Sequence, residues 1–251
     1  TGYIVAVDPF STYKAEKPGA SGKSRKSPAI KALLEVLDDQ PVLSPRMLQL
    51  TRWVGTYYGS SWGEAIENAL PRWVKFGKKV EKYLEKAKNK KAEPAAQPRE
   101  YTLSPEQEKA FGVLSEALRK RSAARSPKPI LIYGVTGSGK SELYIRAIRE
   151  TLKQGRAAIC LVPEIALTEQ LQRFFAGHFG DSLEILHSKM TDGERFLTWK
   201  RIEMGTCQVV LGPRSAVFAP VPNLGLIIMD EEHEGSYKQE TTPRYHAREV
   251  A

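Results

Sequence analysis

From residue 101 onward, short apolar blocks alternate with longer stretches whose apolar residues fall at helical spacing. The blocks lie at residues 130–133, 157–162, 183–186, 209–211 and 224–229. Runs of this length bounded by polar turns suit buried strands. Their alternation with helices predicts an α/β fold, a parallel sheet wrapped by helices. Between the first two blocks, Leu143, Tyr144, Ala147, Ile148 and Leu152 share one face of a predicted helix over 141–152. Further on, Thr191 followed by Glu194 spells a capping box for a helix carrying Phe196, Leu197 and Trp199.

The first hundred residues pattern differently. Residues 1–8 alternate like a strand, and residues 11–27 are rich in Lys, Gly and Ser with no apolar period, which predicts a mobile loop. The short apolar stretch 29–37 fits strand and helix equally. Ser44-Pro45 is a helix start, since Ser caps and Pro suits the first turn. Leu48, Leu50, Trp53, Val54, Tyr57 and Tyr58 follow at helical spacing, residues 59–61 break the helix, and 62–70 form a second one. This pair reads as a helix-turn-helix, a small winged-helix-type module. Trp53, Tyr57 and Trp62 have the chemistry to stack on bases, but aromatics at helical spacing are assigned to the core. Residues 72–91 are basic and helix-prone, and 93–98 form a Pro-containing linker. The expected division is therefore 1–40, an N-terminal segment with a mobile loop; 41–92, a winged-helix-like basic module; 93–98, linker; and 99–251, the α/β lobe.

Charge sharpens this division. The net charge is +9, with a pI near 9.4. Residues 1–98 hold 17 Lys and Arg against 10 Asp and Glu, whereas 99–251 hold 21 against 19. The basic excess thus precedes the α/β lobe. It points to nucleic acid through phosphate contacts, with a solubilising face as the alternative. No apolar stretch approaches the ~18 residues of a membrane span, and no leader is visible. The chain starts at Thr1, as an excerpt would. Its two cysteines, Cys160 and Cys207, sit in strand-like runs and read as buried, reduced thiols of a cytoplasmic protein. No Cys-x-x-Cys occurs, so no zinc site is encoded in this stretch.

Two motifs carry the chemistry. Gly134-Val135-Thr136-Gly137-Ser138-Gly139-Lys140-Ser141 fits the phosphate-binding loop G-x-x-x-x-G-K-[ST]. Its glycines let backbone N–H groups converge on phosphate oxygens. Lys140 supplies a charge for the β and γ phosphates, Ser141 a hydroxyl for Mg²⁺, and the following helix directs its N-terminal dipole at the anion. The second motif is the apolar run 224–229 ending in Asp230-Glu231-Glu232-His233. Ligands of open α/β sheets bind at the carboxyl ends of strands. There Asp230 can hold Mg²⁺ and Glu231 can polarise an attacking water. Together the motifs read as a RecA-like P-loop NTPase lobe.

With these strings in place, the chain resembles the primosomal replication-restart helicase family of helicase superfamily 2. The resemblance rests on 134–141, Leu-Val-Pro-Glu-Ile-Ala-Leu-Thr at 161–168, Leu-His-Ser at 186–188, Arg-Ser-Ala at 214–216, the stretch 223–234, and Ser-Tyr-Lys-Gln-Glu followed by Pro-Arg-Tyr-His-Ala-Arg over 236–248. It is strong over about 99–251 and looser over 41–77, and it implies that residues 1–40 are the remnant of an N-terminal DNA-binding module. It implies an ATP-dependent 3′-to-5′ DNA helicase acting in replication restart and primosome assembly. ATP and Mg²⁺ would be its cofactors, and branched or single-stranded DNA, primosome proteins and single-strand-binding proteins its partners; no membrane is implied. Gln107 matches an adenine contact, although Ser104-Pro-Glu-Gln107 is equally a capping box. Pro163, Glu164, Thr168, Arg214 and Ser215 match DNA-backbone contacts, with a helix cap as the alternative for Thr168. Tyr237, Lys238, Arg244, Tyr245 and His246 match a loop that couples single-strand contact to hydrolysis, and His233 a relay between that loop and the carboxylates. Pro213 stands where the family pattern has Thr, and Ser141 where Thr is more usual. A second lobe with an arginine finger and a zinc module are expected beyond Ala251, so this stretch alone should hydrolyse ATP poorly. Two other readings use the same residues: a nucleotide-switched DNA-loading platform without motor activity, and another superfamily 2 translocase.

Overall fold

The computed structural model describes residues 41–71, 101–119, 129–135 and 137–251. The expectations for 1–40, the basic stretch 72–92, the linker 93–98 and Thr136 fall outside the described residues. The elements are α1 (Pro45–Tyr57), α2 (Trp62–Ala69), α3 (Pro105–Arg119), α4 (Lys140–Lys153), β1 (Ala157–Leu161), α5 (Glu169–Phe179), β2 (Leu183–Ile185), α6 (Asp192–Glu203), β3 (Val209–Gly212), β4 (Leu224–Met229) and α7 (Ala247–Val250).

Among the described residues four strands form one parallel sheet in the order β2-β3-β1-β4. Strand periodicity sends alternate side chains to opposite faces. Ala158, Cys160, Val209 and Leu211 therefore pack with Ile145 and Ile148 of α4 and Phe175 of α5. Ile159, Leu161 and Val210 point the other way, toward Trp199 and Ile202 of α6 and the buried residues of 216–219. Helices α1 and α2 join that second core through Met47, Val54, Ala65 and Ile66. The sheet is thus covered on both faces, as parallel sheets require.

Caps fix the helix starts. Ser44 accepts the Met47 N–H ahead of Pro45, and Ser61 forms a reciprocal capping box with Glu64. Thr191 and Glu194 form the expected box at α6. Among the described residues, 41–71 hold two helices and no strand, so the wing of a winged helix is not found there.

Residues 130–133 depart from expectation. They form no ladder in the sheet, and Tyr133 is 96% exposed. A strand is stable only when its backbone groups pair. The outer edge of β4 takes no partner from this run, and β4 itself is only half-buried. Trp53 and Tyr57, assigned to the core, are instead 40% and 58% exposed. The buried stripe of α1 runs through Met47, Thr51, Val54 and Gly55, and this pair lies beside it, stacked on each other with ring centroids 4.8 Å apart. Trp62 does serve packing, half-buried with its indole N–H donating to Thr51 at 3.1 Å.

Candidate nucleotide site and nucleic-acid interface

The phosphate loop is built by its glycines. Gly137 and Gly139 hold φ of +80° and +82°, where L side chains are strained. A Cβ at Gly139 would also collide with the amide nitrogen of Gln107. Gly139 is the N-cap of α4 and offers no side-chain cap, so the first backbone N–H groups of that helix have no side-chain acceptor there. Lys140 Nζ donates to the carbonyls of Gly134 at 2.7 Å and Val135 at 3.0 Å, which holds its charge against the loop. Ser138 is exposed on the turn, and Ser141 lies in the first turn of α4.

Gln107 resolves into two contacts. Its Oε1 accepts the Ser104 N–H at 2.8 Å while its own N–H donates to Ser104 Oγ, completing the capping box at α3. Its Nε2 donates to the Ser138 carbonyl at 2.8 Å, so the same side chain also touches the phosphate loop.

The carboxylates sit where β4 ends. Asp230 donates its N–H to the Leu161 carbonyl at 2.9 Å, extending the ladder by one residue. Its Oδ1 accepts the hydroxyl of Tyr144, on α4, at 2.9 Å. Burial, then the charge of Asp230, pushes the Tyr144 hydroxyl well above its usual range and keeps it a donor. Tyr144 entered the sequence reading only as part of an apolar face; the signal available was its place three residues after Ser141, on the same side of the helix. Next, Glu231 adopts φ +48°, a left-handed conformation rare for a non-glycine residue. Such strain concentrates at functional sites. His233 Nε2 lies 3.6 Å from Glu231 Oε2, and both are solvent-accessible.

The segment after the carboxylates corrects two expectations. Tyr237 and Tyr245, matched to the loop expected to contact single-stranded DNA, are 0% and 1% exposed. Tyr237 is anchored through its hydroxyl to the carbonyls of Leu161 at 3.1 Å and Asp230 at 2.5 Å. Tyr245 packs edge-on against Phe218 at 5.0 Å, and burial raises its hydroxyl to about 12. Rings enclosed by core cannot face bases in this arrangement. Lys238 and Arg244 are exposed. Lys238 Nζ donates to the Arg244 carbonyl and sits 5.2 Å from the Tyr58 ring centre. The Tyr58 hydroxyl accepts the His246 N–H at 3.1 Å, and Tyr57 donates to Glu249 at 3.1 Å, so α1 is latched to this segment.

The remaining matched residues divide. Arg214 donates to the carbonyls of Ser236 at 2.8 Å and Lys238 at 3.2 Å, so its guanidinium shapes the segment from within. Ser215 is half-buried in the same turn. Pro163 is buried at the start of a short turn in which Glu164 is exposed. Thr168 is exposed and caps α5 by accepting the Leu171 N–H at 3.3 Å, which realises the cap reading. His178 Nδ1 lies 2.9 Å from Arg149 Nη2, about two turns along α4 from Ser141.

The donors present fit a nucleoside triphosphate with a divalent cation: an uncapped helix start, an ammonium at the loop, a hydroxyl and a carboxylate on the facing strand end. Among the described residues no cluster of three or more His, Cys, Asp or Glu forms a further metal site. No described helix is long and apolar enough to cross a membrane.

Comparison with known proteins finds matches over residues 1–71 and 100–250. The family described as "Type III restriction enzyme, res subunit" matches residues 100–250, and the "3′DNA-binding domain (3′BD)" matches residues 1–71. "Replication restart protein PriA" from Bacillus subtilis is 48% identical over 149 residues, covering 59% of this chain and 18% of that protein. The protein of the same name from Treponema pallidum is 38% identical over 221 residues, covering 88% of this chain and 32% of that protein. That from Chlamydia pneumoniae is 47% identical over 150 residues, covering 59% and 20%. The chain therefore spans only about a fifth to a third of the length of these relatives.

Proposed function

We propose that this chain, which belongs to the PriA replication restart family, is the DNA-engaging and ATP-binding part of a DNA helicase that acts in replication restart. The observation that carries the reading is the convergence of the phosphate loop and the Asp230-Glu231 strand end, joined by the Tyr144–Asp230 hydrogen bond at 2.9 Å. Lys140 and the first N–H groups of α4 would hold the β and γ phosphates. Ser141 and Asp230 would hold Mg²⁺, which supplies charge neutralisation during phosphoryl transfer. Glu231, aimed by its strained backbone, accepts a proton from and orients the attacking water. His233 stands close enough to Glu231 to report on its position. Gln107 would exchange its Ser138 contact for the adenine while keeping its cap.

DNA would be met by the exposed cations Lys238 and Arg244 together with Glu164 and Thr168 at the sheet's carboxyl end. The match of residues 1–71 to a 3′DNA-binding domain supports placing α1 and α2 with that module rather than with a winged helix. Primosome and single-strand-binding proteins as partners, and a cytoplasmic site of action, follow from the same reading.

DNA-stimulated ATP hydrolysis by the full-length protein tests this. Forked or single-stranded DNA should stimulate turnover, and matched RNA should do so less. Stimulation by RNA alone would favour a different superfamily 2 translocase, and DNA binding without turnover a loading platform.

A further inference from the structure

Tyr144 connects the two halves of the cation site. It lies on α4 three residues after Ser141, so both side chains leave the same face of the helix, and its ring is 7% exposed. Its hydroxyl reaches across to Asp230 Oδ1 at 2.9 Å. Tyr144 is the donor in this bond and the carboxylate oxygen the acceptor. The bond occupies Oδ1 of Asp230, and among the described residues Oδ2 takes no hydrogen-bond partner. Asp230 also has its main chain pinned, by the Leu161 carbonyl on its N–H and the Tyr237 hydroxyl on its carbonyl. Its main chain is then held, and the remaining freedom is side-chain rotation about χ1 and χ2, which the Tyr144 hydroxyl restricts. Groups that orient a metal ligand from behind typically change metal affinity or activity by about 10–100-fold when lost.

We propose that Tyr144 is a positioning residue for the divalent cation: it presents Asp230 Oδ2 toward the Ser141 hydroxyl and ties the helix of the phosphate loop to the carboxylate strand. This rests on the reading of Asp230 as a Mg²⁺ ligand. The side chain touches neither nucleotide nor water in this role.

The test uses the full-length protein and Mn²⁺ as probe, followed by electron paramagnetic resonance in the presence of ADP. Tyr144→Phe removes one oxygen from a packed ring. It should weaken Mn²⁺ binding by about tenfold or more, while ADP binding in EDTA stays at the wild-type level. The Mg²⁺ concentration for half-maximal ATP turnover should rise by a similar factor, with kcat largely recovered at saturating Mg²⁺. Tyr144→Leu, which also removes the ring, should show the same loss of Mn²⁺ affinity on top of any loss of stability. If Tyr144→Phe binds Mn²⁺ like wild type and only Tyr144→Leu loses it, the ring merely packs and the proposal is overturned. Asp230→Asn separates the two claims. Weak Mn²⁺ binding in Asp230→Asn beside unchanged binding in Tyr144→Phe removes Tyr144 alone. Unchanged Mn²⁺ binding in Asp230→Asn removes the Asp230 reading, and the role of Tyr144 with it.

Discussion

Tyr237 donates its hydroxyl to the main-chain carbonyl of Asp230 at 2.5 Å, from a ring with no solvent exposure. Tyr237, which opens the cation-rich segment, is therefore fastened to the residue that follows β4. Removing the hydroxyl would leave the Asp230 carbonyl without this partner, whereas the Leu161 carbonyl keeps the Asp230 N–H. Tyr237→Phe should lower stability by about 1 kcal/mol or more, the cost of a lost hydrogen bond and a partly buried acceptor left unpaired. Urea unfolding of this chain checks it, and unchanged stability would count against the anchoring role.

The phosphate role of Lys140 predicts a loss in binding rather than in folding. Lys140→Ala in the full-length protein should weaken nucleotide binding by about tenfold or more, as expected for a lost charge-assisted bond of ~1.5–3 kcal/mol. Isothermal titration with an ATP analogue measures it, and wild-type affinity would argue that the ammonium serves only the loop. Glu231→Gln should keep binding and lose turnover by about a hundredfold or more.

The left-handed backbone of Glu231 makes a separate prediction. Asn tolerates that region, whereas a β-branched residue does not. Glu231→Val should melt at a lower temperature than Glu231→Asn, with both inactive. Equal melting temperatures would show that the strain is absent in solution.

Both thiols should be silent. Burial, then the nearby Asp230 charge, pushes Cys160 far up, and burial, then Glu184, raises Cys207 to about 12. Neither should react with a disulfide reagent at pH 8 until the chain unfolds, because the thiolate is the nucleophile. A folded pKa raised above the unfolded value of 9.0 favours the protonated, folded state. The stability from Cys207 is therefore complete below about pH 9 and is lost as pH rises toward about 12. Rapid labelling of the native protein at pH 8 would overturn this.

What the sequence made legible follows from what periodicity measures. The run 224–229 became β4 with those bounds, and the box at Thr191 and Glu194 capped α6, because both signals are local. Residues 130–133 are as apolar as the other runs, but pairing depends on a neighbour that periodicity does not specify. Tyrosines and tryptophans gave the least reliable signal. An amphipathic ring serves core and surface alike. Tyr237 and Tyr245 match a DNA-contacting loop yet are core, while the helical spacing of Trp53 and Tyr57 predicts core yet both are exposed. Arg214 and Thr168 have ordinary phosphate-binding chemistry, yet their partners are backbone groups that only the fold brings near.

On the proposed function, Lys140 and the Asp230-Glu231 strand end power movement along DNA, and strand separation measures this most directly. The full-length protein should unwind a labelled forked duplex only with ATP and Mg²⁺, and Lys140→Ala and Glu231→Gln should each abolish unwinding while still binding the fork. Unwinding that survives either substitution would contradict the account.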